Sequence, residues 1–381
     1  MLELRSVHKR YDLQAGFFAP VGRYVYAVNG VSLTVGENEV YGLVGESGCG
    51  KTTTARLIVR MHDPDTGIIR FTDRDGRVFD IPELSKNELK VLRQRVKYIF
   101  QDPAKSLNPR MNVEQILLTG YRYSPLWPGK QQAREEAKRI LDDVGLKPAD
   151  LDRRPADFSG GQRQRIAIAR ALMAKPQLLV CDEVVSALDV SIQGQILNLL
   201  LRLKEEYKLS MLFIAHDLAV VSYISDRIGV MYRGLLMEEA PSRELVAERR
   251  HPYTRHLYAA IPQLDPSRRI TRSPYTQFAE TPDPTVSPLP GGPVQSAPAD
   301  ATRGEKRDAG PAPTGGLGGG QAPTGSPRAR EAPAGGPGAR EAPTGGPPEA
   351  GAETGIVRPG MEQVGPEHFV SVFFREEEKA G

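Results

Sequence analysis

The chain has little cysteine, little net charge and no long apolar run, and each shortage excludes something. Only Cys49 and Cys181 occur in 381 residues, one in a glycine-rich loop and one in an apolar run. A disulfide framework is not indicated, and a reducing compartment fits. The formal net charge of +3 is too small for this length to mark a nucleic-acid groove or an acidic tail. No run of about 18 apolar residues occurs, and the start, Met1-Leu2-Glu3-Leu4-Arg5-Ser6-Val7, is charged and alternating, without the apolar core of a signal peptide. The chain is expected to be neither exported nor membrane-spanning. Large apolar residues are scarce from about 280 to 360, where Pro, Gly, Ala, Thr and Ser dominate, so the folded part is expected over 1–262.

The most specific feature present is Gly45-Glu46-Ser47-Gly48-Cys49-Gly50-Lys51-Thr52, which fits G-x-x-x-x-G-K-[ST] where an apolar strand, Val40 to Val44, hands over to a helix, Thr53 to Met61. Glycines let backbone N–H groups converge on phosphates, and the helix N-terminus adds the positive end of its dipole. Gly45, Ser47, Gly48, Gly50 and Thr53 are candidate phosphate contacts. Lys51 supplies a mobile charge toward the β and γ groups, and Thr52 a hydroxyl for Mg²⁺. A nucleoside triphosphate is the expected ligand.

Leu2, Leu4 and Val7, then Val31, Leu33 and Val35, read as strands of a small antiparallel sheet, divided by a segment from Tyr11 to Tyr26. Gly67 to Phe71 and Arg77 to Ile81 suit a hairpin around Asp73-Arg74-Asp75-Gly76. A helix over Ser85 to Arg95 and a strand, Val96 to Phe100, lead into Gln101-Asp102-Pro103. Helical spacing then dominates from Asn112 to about Asp152, giving an inserted helical subdomain over 102–158. Phe158-Ser159-Gly160-Gly161-Gln162 precedes a helix, Arg163 to Ala174. The strand Leu178 to Cys181 ends in Asp182-Glu183, a helix covers Ile192 to Tyr207, and the strand Met211 to Ala215 ends at His216-Asp217. Strands alternating with helices and carrying polar residues at their C-terminal ends argue a parallel α/β sheet with the site along that edge.

Past His251 the run suits a short terminal helix. Four ten-residue units follow from Ala312 to Gly351 (APTGGLGGGQ, APTGSPRARE, APAGGPGARE, APTGGPPEAG). So much Pro and Gly cannot bury a core, so 291–360 reads as a disordered linker. Gly365 to Phe374, within a final segment 361–381, is apolar enough to dock back as a strand.

A phosphate loop needs an acidic strand to hold Mg²⁺, and Leu178 to Asp182 is such a run. Glu183, at the lip of that strand, is placed to accept a proton from an attacking water. Ser159 with the Gly160-Gly161 backbone, read as lying before a helix N-terminus, makes a second anion cradle that the same chain's phosphate loop cannot easily reach.

These motifs together resemble the ATP-binding cassette (ABC) ATPases: the phosphate loop, Gln101 as the Q-loop glutamine, Ser159-Gly160-Gly161-Gln162 as the signature, Asp182-Glu183, the D-loop Ser186-Ala187-Leu188-Asp189 and the switch histidine His216 stand in order. The resemblance implies a cassette with a parallel-sheet core, an N-terminal antiparallel β subdomain and the inserted helical subdomain. It also implies ATP and Mg²⁺ as ligands. Thr52, Gln101 and Asp182 would serve the metal, Glu183 would be general base and His216 would meet the γ-phosphate. Two cassettes would pack head to tail, so that Ser159, Gly160, Gly161, Gln162 and Asp189 act at the partner's nucleotide. An aromatic stacks on adenine in this family; Tyr11 is the candidate, with Tyr24 and Tyr26 as competitors.

Gln101-Asp102-Pro103, Ser106-Leu107-Asn108-Pro109-Arg110-Met111, Ser186 to Ser191 and His251-Pro252-Tyr253-Thr254-Arg255 resemble, more narrowly, the ATPase subunits of bacterial oligopeptide and dipeptide permeases, and the second of the paired subunits in particular. That implies a characteristic C-terminal segment over 263–290, a partner ATPase (a homodimer being the alternative), two membrane permeases and, indirectly, an external solute-binding protein. It implies a peripheral place on the cytoplasmic face of the bacterial inner membrane. Two residues depart from the family pattern: Val184 stands where Pro usually follows the base, and no cysteine follows Cys181, so no iron–sulfur centre is expected. The rival readings are a soluble ABC ATPase acting on ribosomes or DNA, and a regulatory cassette that binds ATP without turnover.

Overall fold

The computed structural model describes residues 1–12, 24–124, 126–259, 361–365 and 367–371. The expected segments 263–290 and 291–360, the ten-residue repeats and Val372 to Phe374 lie outside the described residues. In chain order the strands are β1 (Leu2–Asp12), β2 (Tyr24–Val35), β3 (Val40–Val44), β4 (Thr66–Thr72), β5 (Val78–Asp80), β6 (Val96–Ile99), β7 (Leu178–Asp182), β8 (Ser210–Ala215), β9 (Arg227–Tyr232), β10 (Leu235–Pro241), β11 (Met361–Gln363) and β12 (Phe369–Ser371). The helices are α1 (Lys51–Ile58), α2 (Lys86–Arg95), α3 (Pro103–Ser106), α4 (Val113–Tyr121), α5 (Lys130–Asp143), α6 (Gly160–Leu172), α7 (Val190–Tyr207), α8 (Leu218–Ile224), α9 (Ser242–Ala247) and α10 (Pro252–Ala259).

Every residue of β3, β7 and β8 is buried, as a parallel strand covered on both faces requires. Period-two alternation sorts their side chains into two cores. Val40, Val44, Leu179, Cys181, Met211 and Phe213 join residues of α4 to α8. Tyr41, Leu43, Leu178, Val180, Leu212 and Ile214 face the other way, onto α1, α2 and the small sheet. At Gly42 an added Cβ would lie 2.2 Å from Val221 Cγ1, so α8 packs directly on the β3 backbone there.

The small sheet has the order β2-β1-β4-β5 and is antiparallel throughout. The large sheet runs β11-β12-β10-β9-β3-β8-β7-β6, parallel from β9 to β6. Because β8 lies between β3 and β7, the phosphate loop and the Asp182 strand end are two strands apart at the same edge, with the end of β8 between them. This order places the loop, His216 and Asp182-Glu183 side by side although they are far apart in sequence.

Helix starts differ from the sequence reading. The helix after the loop begins at Lys51, not Thr53, and ends at Ile58. The helix after the Ser-Gly-Gly turn begins at Gly160, not Arg163, because Ser159 caps it. Its hydroxyl accepts from the Gln162 N–H and the Gln162 amide accepts from the Ser159 N–H. Such a reciprocal cap offsets the poor helix propensity of two glycines. Gly160 and Gly161 therefore form the first turn itself and do not precede it. The long helix likewise begins at Val190, two residues before Ile192.

At the far edge, β12 pairs antiparallel with β10 through Glu238↔Val370 and Glu239↔Phe369. The side chain of His368 is fully buried there, with Nε2 at 2.6 Å from Glu238 Oε1 and Nδ1 at 3.0 Å from Glu244 Oε1. Burial alone would lower the His368 pKa, but the two carboxylates outweigh it and raise the value. Burial would raise that of Glu238, but the bonds from His368, Thr254 and the Arg250 and His251 N–H groups lower it. A raised histidine contributes stability that is complete below its ordinary pKa and lost as pH rises through its folded value. A depressed carboxylate contributes stability present above its ordinary pKa and lost as pH falls through its folded value. Corrected hydrogen-exchange protection of 361–371 is therefore expected to fall on both the alkaline and the acid side, and to be low at every pH in His368→Ala. Protection that His368→Ala leaves unchanged would contradict the role given to this ion cluster.

Candidate nucleotide site

The loop between β3 and α1 is shaped by its glycines. A Cβ at Gly45 would sit 2.0 Å from the Met231 carbonyl oxygen and one at Gly50 2.0 Å from that of Ala27, so neither position has room for a side chain. Glu46, Ser47 and Gly48 form the exposed crown, while Cys49, Gly50 and Lys51 are buried beneath it. Lys51 Nζ, on a residue only 4% exposed, donates to the carbonyls of Gly45 at 2.7 Å and Glu46 at 2.8 Å. The charge is thus held inside the loop by dipoles. Thr52, one residue into α1, donates from Oγ1 to Asp182 Oδ1 at 3.1 Å, and Thr53 is half-buried beside it.

Asp182 is 4% exposed at the end of β7, and Tyr98 OH of β6 donates to its other oxygen, Oδ2, at 2.5 Å. Burial first, then the Asp182 charge, drive the Tyr98 pKa upward, so the phenol keeps its proton and remains a donor. Glu183 follows in a left-handed conformation, φ 49°, with its N–H on the Ile214 carbonyl at 2.9 Å. Its carboxylate accepts from Gln101 Nε2 at 2.6 Å, and His216 Nδ1 lies 3.8 Å from its other oxygen. Such a backbone in a residue that is not glycine costs on the order of 1–3 kcal/mol and collects at functional sites.

The structure thus brings Gly45 to Thr53, Asp182, Glu183, Gln101 and His216 to one sheet edge. It sets Ser159 to Gln162 elsewhere: among the described residues no hydrogen bond or ion pair joins them to that cluster. Ser159, Gly160 and Gln162 are exposed, with the D-loop and the start of α7 beneath the turn, since an added Cβ at Gly160 would meet Leu188 Cδ2 at 3.6 Å and one at Gly161 Ile192 Cγ2 at 2.6 Å. Asp189 is exposed as the residue that precedes α7. Tyr11, 38% exposed, pairs with Val25 and meets His62 edge-on at 6.0 Å. Arg10 covers the ring of Tyr24 at 4.5 Å, and the carbonyl of Tyr26 abuts Gly234.

Two further residues join the site without being singled out by sequence reasoning. One is Tyr98. The other is Tyr253 of α10, whose hydroxyl accepts from the Glu46 N–H at 3.2 Å across 207 positions and whose ring meets Tyr232 at 4.4 Å. His251-Pro252-Tyr253-Thr254-Arg255 was legible as a motif, but nothing in its residues pointed to the phosphate loop. The two cysteines have packing roles here. Burial raises the pKa of Cys49, and burial with the neighbouring Asp182 pushes Cys181 up to about 12, so both remain thiols.

A hard divalent cation takes oxygen donors, and the Thr52 hydroxyl and Asp182 carboxylate already meet at the mouth of an N–H-lined loop; the donor set fits Mg²⁺ beside a polyphosphate. A central parallel sheet with this loop, an acidic strand end beside it and a helix-capped Ser-Gly-Gly turn is the fold of a nucleotide-binding cassette. A family model described as ABC transporter matches residues 28–186, and one described as Oligopeptide/dipeptide transporter, C-terminal region, matches 237–284. The oligopeptide transport ATP-binding protein AppF of Bacillus subtilis is 42% identical over 289 residues, spanning 76% of this chain and 86% of that protein. A Sinorhizobium fredii protein named "Probable peptide ABC transporter ATP-binding protein y4tS" is 44% identical over 288 residues, spanning 76% of this chain and 79% of its own. An ATP-binding cassette solved as a dimer in a post-hydrolysis state with ADP and Pi superposes with TM-score 0.54 at 28% identity, over 64% of this chain and 99% of the other. The chain belongs to the ABC transporter ATP-binding proteins, in their oligopeptide/dipeptide branch. It binds and hydrolyses ATP. Among the described residues no helix is long and apolar enough to cross a membrane.

Proposed function

We propose that this chain is the peripheral ATPase of a bacterial peptide importer, seated on the cytoplasmic face of the inner membrane. There it would pair with a second cassette, in a heterodimer by preference, beneath two membrane permeases fed by an external solute-binding protein. The observation that carries the reading is the joint presence of the complete motif set in one cassette and the oligopeptide/dipeptide match that begins within its last strands, at 237–284. The domain boundaries that go with it are 1–262 for the cassette and 102–158 for the helical subdomain. No iron–sulfur centre enters the reading, because no cysteine follows Cys181.

In this mechanism Lys51 and the N–H groups of Gly45 to Thr53 bind the phosphates, and Tyr11 stacks on the base. Tyr24 and Tyr26 remain the competitors for that place, since both Tyr11 and Tyr24 carry a cation over the ring. Thr52 and Gln101 would hold Mg²⁺ directly and Asp182 through water, and the metal would supply charge neutralisation on the phosphate oxygens. Glu183 accepts the proton of the attacking water on its carboxylate, and His216 orients the terminal phosphate. Gln101 donates through Nε2 to Glu183 in the structure, and its amide oxygen would be the atom offered to Mg²⁺, so this side chain links the base to the metal position. Ser159, Gly160, Gly161 and Gln162 with Asp189 close over the partner's nucleotide, which their exposure permits. Closure on ATP and opening after hydrolysis are the stroke passed to the permeases through the Q-loop.

Deleting this chain from its native cell is expected to lower uptake of labelled di- and oligopeptides to background, and restoring the full chain to recover it. Undiminished uptake of every peptide class after deletion would remove peptides from the reading.

A further inference from the structure

The carboxylate of Asp182 is held at both oxygens, by two donors from two different elements. Thr52 of α1 bonds Oδ1 at 3.1 Å and Tyr98 of β6 bonds Oδ2 at 2.5 Å. In a loaded site the Thr52 oxygen would face the cation through a lone pair and keep its proton for Oδ1, so the two donors together would hold the plane of the carboxylate. Tyr98 is well placed to keep its grip: it pairs with Val180 in the register of β6 and β7, two residues before Asp182, and its ring packs on Phe100 at 4.7 Å. Three residues further along the same strand exit stands Gln101, bonded to Glu183. The strand β6 and the residues that leave it thus touch both acidic residues at the end of β7.

We infer that Tyr98 is a positioning residue for the metal site: its hydroxyl fixes Oδ2 of Asp182 and with it the orientation in which the carboxylate meets Mg²⁺ and its water. The inference rests on the proposed metal role of Asp182 and extends it to a side chain outside every motif. A carboxylate held in this way loses rotation about its terminal torsion and needs no reorganisation when the cation arrives. Partners of this outer kind contribute about 10- to 100-fold to metal affinity in known sites. Phe100, on the same strand exit, offers no such donor.

The test uses the full-length chain and Mn²⁺ as a spectroscopic stand-in for Mg²⁺, with free Mn²⁺ counted by its paramagnetic resonance signal in the presence of saturating ADP. Tyr98→Phe, which removes one hydroxyl and keeps the ring, is expected to weaken Mn²⁺ binding about tenfold. Its affinity for ATP in excess EDTA should stay within about twofold of the wild type, a split that a general packing defect would not produce. In the Asp182→Asn background the same change is expected to add nothing, because the hydroxyl acts through that carboxylate. Mn²⁺ affinity unchanged in Tyr98→Phe, beside clear nucleotide-dependent binding by the wild type, would overturn the inference alone. A wild type with no nucleotide-dependent Mn²⁺ binding would overturn the metal role of Asp182 and this inference with it.

Discussion

Replacing Glu183 with Gln is expected to lower ATP turnover by at least about a hundredfold while leaving ATP affinity within about twofold, the scale of losing a general base without losing a binding contact. The substitution keeps the shape of the side chain, and its amide can still bond Gln101 after a rotation, so the strained turn at φ 49° and the bond from Glu183 N–H to Ile214 remain. What disappears is the capacity to take up a proton. Single-turnover hydrolysis in the full assembly, beside equilibrium binding of ATP, separates the two effects. Turnover close to normal would remove Glu183 from the role and point to His216 or a solvent base. The same experiment bears on Val184, which is buried at 2% exposure directly after the base: if the retained carboxylate is what matters, the wild-type chain turns over despite Val in place of the usual Pro.

Lys51→Ala is expected to weaken ATP binding by about a hundredfold or more. Each hydrogen bond to a charged group contributes about 1.5–3 kcal/mol, and loss of even one such interaction with the phosphates at the upper end of that range is a hundredfold in affinity. The effect has a second source in the structure. Lys51 Nζ ties together the carbonyls of Gly45 and Glu46, so its removal also frees two acceptors inside the loop and loosens the cradle before any ligand arrives. Isothermal titration with ATP reads the loss directly. Affinity within about threefold of the wild type would mean that the backbone N–H groups alone carry phosphate binding.

The parts of this site that the sequence revealed are those in which one short segment does the whole job. An apolar strand, a glycine loop and a helix start lie within a few residues of one another at Val40 to Thr53, and the acidic end of β7 and the histidine end of β8 announce themselves by the same change from apolar to polar. Glycine suggests a turn, so the residues alone point to a helix from Arg163, while the reciprocal bonds of Ser159 and Gln162 start it at Gly160. Contacts that join distant segments left no local trace. Tyr98 reads as one more strand residue until β6 is laid beside β7, and Tyr253 reaches Glu46 only because α10 returns along β10. The pairing of His368 with Glu238 is of the same kind, with 130 positions between them.

The measurement that bears most directly on the central claim is to tag the full chain in its native cell, solubilise the membranes gently and identify what copurifies. Recovery of a second cassette with two polytopic permeases is the predicted result, and the genes of those subunits would define the solute. Recovery with ribosomes or nucleic acid, or of the chain alone from the cytosol, would contradict the importer and leave an ATPase whose work is done elsewhere.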